Sequence, residues 1–117
     1  MQVYYQLLTF TTAPVPLSIT DNHSNPVYRA SRVYAEPATA NAHDCFVEAV
    51  GVATGATGSS AGVIRRLSKP IAADTAGAAA VDHWELADED GLNRVDLTQY
   101  QFDGTSGEKV RVTVFVE

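Results

Sequence analysis

The sequence predicts a mostly β, single-domain antiparallel β-sandwich or barrel with long Gly/Ala-rich loops and at most one short helix. Val (14 residues) and Thr (11 residues) are over-used in a chain of 117, and β-branched side chains suit the pleated, extended backbone. Short apolar runs recur at intervals of roughly 8 to 15 residues with Gly, Pro, Asn and Asp clusters between them, which fits a sandwich or barrel better than βαβ units. The segment 109–117 alternates strictly: Val110, Val112, Val114 and Val116 share one face, and Lys109, Arg111, Thr113, Phe115 and Glu117 share the other. The length is that of one ordinary domain, residues 1–117, so an active site in an inter-domain cleft is not expected.

The elements follow in order. Residues 1–12 lack Gly, Pro and charge and predict a first strand buried on much of both faces. Pro14 and Pro16 then limit backbone donors, so 17–20 is at most a short edge strand. Residues 21–26, DNHSNP, are a dense turn signal. Residues 27–35 predict one strand, with Val27, Arg29, Ser31, Val33 and Ala35 on one face and Tyr28, Ala30, Arg32 and Tyr34 on the other. A small-residue loop, 36–43, leads to a buried strand in 45–53, favoured over a short helix. Residues 54–62, with three glycines, predict a loop with little to bury, and 63–69 a strand that ends at Pro70. Residues 71–80 are open to a helical turn or an extended loop. Residues 81–86 predict a strand with Trp84 and Leu86 inward, followed by an acidic turn at 87–91. Strands at 95–102 and 110–116 flank 103–108, which reads as a hairpin loop. Burying four valines at about 1.5 kcal/mol each makes the last strand central to the fold.

Charge excludes one large function class. The formal net charge is -6; residues 1–81 balance five acids against five bases, whereas 82–117 carry nine acids against three bases. Phosphate binding needs clustered Lys and Arg, so no nucleic-acid partner is expected. A single cysteine excludes an intrachain disulfide and any CxxC motif. The opening MQVYYQLLTF has no basic n-region and no long apolar core, and no apolar run approaches the roughly 20 residues that span a membrane. Synthesis in a cytosol and no membrane partner are the expectations.

The chemical motifs are faint. His43-Asp44-Cys45 sets an imidazole, a carboxylate and a thiol side by side, the makings of a nucleophile and base. In a strand Asp44 points away from its neighbours, and a free cysteine is most often a buried core residue. The histidines, at 23, 43 and 83, have no metal-ligand spacing. Aligning Gly91 with the glycine of a calcium-binding helix-loop-helix puts Leu86 at the first ligand position, so Asp88-Glu89-Asp90 reads as a solvated turn. Glycines 51, 55, 58 and 62 form neither GxGxxG nor a Walker loop. No catalytic, cofactor-binding or metal-ligating residue is assigned. Arg65 and Arg66, adjacent on a strand, point to opposite faces, and one is placed to pair with the acidic C-terminal third of this chain or a neighbour. Aromatics on polar or mixed faces complete the candidate interface: Tyr28, Tyr34, Arg65, Arg66, Tyr100 and Phe115. Phe115 opposes the valine face, which suggests that both faces of its strand are covered, by a second sheet or another chain.

Trp84 with Leu86, then Leu97-Thr98-Gln99-Tyr100, then DGTSGEKVRVTVFVE, resembles a recurrent ending of small virion proteins of tailed phages, the head decoration or cement proteins. The likeness covers about 35 residues. It implies a β-rich protein on the capsid exterior that bridges major capsid protein subunits, as a homo-oligomer, a trimer at three-fold or quasi-three-fold positions. It brings no catalytic or cofactor residue. The alternative class is a carbohydrate- or receptor-binding module of a fibre or head appendage, with Tyr28, Tyr34 or Trp84 as a stacking platform. A buried Trp84 favours the structural role and an exposed one the binding module.

Overall fold

The computed structural model describes residues 1–51, 62–70 and 81–117. The loop expected at 54–62 lies outside them except for Gly62, and so does the segment 71–80. The described strands are β1 (Gln2–Thr9), β2 (Val15–Pro16), β3 (Arg29–Ala30), β4 (Arg32–Pro37), β5 (Cys45–Ala49), β6 (Val63–Leu67), β7 (Trp84–Ala87), β8 (Val95–Asp96), β9 (Tyr100–Asp103) and β10 (Lys109–Val116). They form two four-stranded sheets, ordered β1-β10-β4-β7 and β2-β9-β5-β6, with a small β3-β8 pair. Every pairing among these strands is antiparallel. This is the β-sandwich that the composition and spacing predict.

One apolar core joins the sheets. Val33, Ala35, Trp84, Val110, Val112 and Val114 come from the first sheet, and Cys45, Val47, Leu67 and Phe102 from the second. The alternation of β10 is kept: three of its valines are fully buried, and the strand lies between β1 and β4. Strict period-two patterning fixes the register here, because a slip of one residue would turn all the valines outward.

Five expectations need correction. The first strand is not buried on both faces. Among the described strands β1 is a sheet edge paired with β10 alone, and Val3, Tyr5 and Leu7 are 48%, 76% and 45% exposed. The strand near the prolines is Val15–Pro16, and Leu17 and Ile19 leave it to enter the core. The single strand expected at 27–35 breaks at Ser31, whose backbone N–H and hydroxyl both donate to Phe115 O at 2.8 and 2.9 Å. The break shifts the side-chain parity, so Ala30, Val33 and Ala35 all turn inward and Arg29 leaves their face. The strand expected at 95–102 is interrupted by a 3-10 turn over Leu97–Gln99. Asp96 starts it by accepting from the backbone N–H and hydroxyl of Thr98 at 3.0 and 2.6 Å, a local bond that competes with ladder pairing.

Finally, 104–108 does not close a hairpin. β9 pairs with β2 and β5 while β10 pairs with β1 and β4, so the connection arches from one sheet to the other. A glycine is required where the arch leaves β9: a Cβ on Gly104 would stand 2.6 Å from two ring carbons of buried Phe10. The turn at 21–26 forms as expected, with Asp21 Oδ1 accepting from the N–H groups of His23 and Asn25 at 2.8 and 3.0 Å.

Candidate interaction surface

The His43-Asp44-Cys45 segment enters β5, and its three side chains diverge. Asp44 accepts from the Lys69 backbone N–H at 2.7 Å and stands 3.4 Å from the Arg66 guanidinium. His43 Nδ1 lies 3.1 Å from Glu108 Oε2. Burial alone would raise the Glu108 carboxyl, but the Ala42 N–H and then the side chain and N–H of His43 together more than offset it, so the carboxyl titrates below its usual range. Cys45 points into the core at 1% exposure, and burial, then the charges of Asp44, Glu108 and Asp82, push its thiol up to about 12. A cavity of about 370 Å³ opens beside this segment against His43, Asp44, Phe46, Arg66, Lys69 and Thr105, and Cys45 does not line it. The thiolate that nucleophilic chemistry needs is therefore disfavoured. In the native protein at pH 8, Cys45 is expected to resist an aromatic disulfide reagent and to react fully once denaturant is added. Rapid labelling without denaturant would reverse this account.

Among the described residues no group of three His, Cys, Asp or Glu side chains is placed to hold a metal ion. In the acidic turn Asp88 and Asp90 share one cation. Arg94 donates from Nε and Nη2 to Asp88 at 2.8 and 2.9 Å and also contacts Asp90. The Arg94 hydrogen bonds, with the Asp90 N–H, lower the Asp88 carboxyl to about 2, and its side chain is only 7% exposed. The turn is exposed at Glu89 and Asp90, as expected, and Arg94 clamps Asp88 within it.

The six candidate interface residues divide among three places. Tyr34 and Phe115 share the outer face of the first sheet. The Tyr34 ring stacks on His83 at 5.1 Å, and Phe115 lies under the Arg32 guanidinium, 5.0 Å from its centroid. Arg32 also donates to Glu85 at 2.9 Å, so the cover over Phe115 is a pinned side chain of the same chain. Arg65 and Arg66 stand on the edge strand β6. Arg65 pairs with Asp82 at 2.7 Å, the expected link to the acidic C-terminal third, and Arg66 with Asp44.

Tyr28 and Tyr100 lie at an apolar groove of about 360 Å³ formed where 16–20, 26–28 and 97–101 converge. Its walls are chiefly Pro16, Leu17, Ile19, Pro26, Val27 and Tyr28. Tyr28 is 60% exposed at its rim. Backbone bonds from Val27 N–H to Ile19 O, Leu17 N–H to Tyr100 O and Leu97 N–H to Tyr28 O tie the walls together at 2.9 to 3.1 Å. Tyr100 tilts against Trp84 at 5.2 Å, and Trp84 itself is buried.

Glu48 escaped the sequence reading. It is fully buried on β5, where Gln101 Nε2 donates to its Oε1 at 3.2 Å and Oε2 has no hydrogen-bond partner among the described residues. Burial raises its carboxyl to about 7, the Gln101 bond opposes the shift, and Asp103 adds to it. The available signal was a single charge inside the apolar run 45–53. No family model, no curated protein and no solved structure matches this chain.

Proposed function

We propose that this chain is a non-enzymatic virion structural protein that sits on the capsid exterior of a tailed phage and bridges major capsid protein subunits as one of many identical copies. The observation that carries the reading is the division between what the fold encloses and what it leaves open. Cys45 and Trp84 are sealed in the core, while Tyr28 stands open beside a groove whose walls are mostly apolar. Such a surface suits burial against a protein and needs no reaction. The likeness of residues 84–117 to decoration proteins supports the same reading, and so does the buried Trp84, which removes the best sugar-stacking ring from solvent. Tyr34, the second candidate platform, is already stacked on His83.

Mechanistically, each copy adds a modest area of burial, and repetition over the shell makes the stabilisation collective. The test is co-sedimentation of the purified chain with undecorated capsids, followed by heating of the decorated and bare particles. The chain is expected to pellet with capsids and to raise their melting temperature. Tyr28→Asp is expected to weaken binding at least tenfold while the chain stays folded. Identical melting curves, with the chain left in the supernatant, would refute the proposal.

A further inference from the structure

From the β1 edge, the geometry points to a two-fold contact in which this strand pairs antiparallel with β1 of a second copy. The backbone direction follows from the far end of the strand. Phe10 N–H donates to Glu108 O at 2.8 Å and Phe10 O accepts from Gly107 at 3.0 Å, so residue 10 faces the β10 side. N–H and C=O groups alternate sides along a strand, and the β1–β10 register runs without a shift from Gln2↔Val116 to Thr9↔Lys109. Even-numbered residues therefore bond to β10, and Val3, Tyr5 and Leu7 aim their N–H and C=O groups at the open edge. No other described strand pairs with that edge.

The side chains of the same three residues form the exposed stripe on the outer face. A strand of this length whose edge and outer face are both open and apolar is one that proteins ordinarily cover or charge.

Two features select a second copy as the occupant. Residues 1–20 contain no Asp, Glu, Lys, Arg or His, in a chain of net charge -6, so this is where two identical acidic chains approach with least repulsion. The stripe is also symmetric about Tyr5. Antiparallel pairing centred there sets Tyr5 against Tyr5 and Val3 against Leu7, and each facing pair exchanges two backbone hydrogen bonds. A shift of register by one residue would present the even-numbered groups already bonded to β10. The contact is isologous and uses up both edges, so it closes as a dimer and does not propagate into a fibre. It stands independently of the capsid reading, and it is not the trimer that the family resemblance implies, which needs a head-to-tail contact.

The register makes a charge-swap test decisive. Sedimentation velocity of the wild-type chain is expected to give twice the 12.5 kDa chain mass. Tyr5→Lys and Tyr5→Glu, each alone, place like charges face to face and are expected to sediment as monomers. Mixed in equal amounts they are expected to regain the doubled mass. Leu7→Pro, which removes an edge-facing N–H and the Leu7 side chain but no bond to β10, is expected to dissociate the dimer with an unchanged far-ultraviolet circular dichroism spectrum. A monomeric wild type, dimers in both single variants, or a mixture that stays monomeric would each overturn the pairing. So would a monomeric wild type whose capsid binding is lost on Tyr5→Lys, since β1 would then serve the capsid protein instead.

Discussion

Truncation of Phe10 to Ala is expected to lower the unfolding free energy by about 3 to 5 kcal/mol, the range for a large aromatic removed from a core that cannot collapse around the gap. Phe10 is 2% exposed and belongs to the main core cluster. Its backbone is held through both its N–H and its C=O by the bonds to Glu108 and Gly107, so the chain cannot slide inward to fill the void. The ring faces the bare backbone of Gly104, which makes the converse substitution informative. A methyl at Gly104 would lie 2.6 Å from Cδ2 and Cε2 of Phe10 and 2.9 Å from Cγ. A tethered, buried ring cannot yield that distance cheaply, and Gly104→Ala is expected to cost about 1 to 3 kcal/mol by overpacking. Urea unfolding of both single variants and the double variant closes the cycle. The double variant is expected to cost less than the sum, because the new methyl occupies part of the cavity that the ring vacates. Strict additivity, or a Gly104→Ala protein as stable as wild type, would show that the ring and the arch are not in the contact described.

The second large effect concerns Glu48. Its folded carboxyl titrates near 7, against an ordinary value of 4.5, because the charged form is buried. The folded state therefore keeps a proton over the interval in which the unfolded state loses it. The associated stability is present in full below about pH 4.5, declines as pH rises and is exhausted above about pH 7, a difference on the order of 3 kcal/mol. Glu48→Gln keeps an acceptor for Gln101 and carries no charge. It is expected to be more stable than wild type at pH 8 and to match it near pH 4. Subtracting the two pH profiles isolates Glu48 from His43 and from the surface carboxylates. Parallel profiles would mean that Glu48 titrates as an ordinary exposed acid.

The residues that announced themselves did so through periodicity. β10 was legible because four valines at period two have one solution in a packed sheet, and the turn at 21–26 because Asp21 can cap its own backbone. Trp84 inward is legible for a similar local reason; that one of Arg65 and Arg66 meets the acidic third is legible too, but not that it is Arg65. What escaped was tertiary. Val3, Tyr5 and Leu7 have a core composition but stand at a sheet edge, and composition does not encode strand order. Ser31 and Asp96 break strands through hydrogen bonds whose partners, Phe115 and Thr98, are found only once the chain is folded or locally turned. The loop at 104–108 carries hairpin chemistry yet joins two sheets, a choice made by β1 and β4 flanking β10. The candidate interface is scattered for the same reason: a sequence gives each residue's polarity but not its neighbours, and folding covers Phe115 with Arg32 and Tyr34 with His83.

The placement of β10 also governs how the chain is made. Among the described strands, the one at the centre of the first sheet is synthesised last and its partner β1 first. During translation β1 and β4 must wait apart with no ladder between them, and the first sheet can assemble only when residues 109–116 emerge. Contacts spanning so much of the sequence slow folding and expose uncharged β1 to other nascent chains meanwhile. Yield in a cell should consequently track temperature and expression rate more closely than it tracks equilibrium stability.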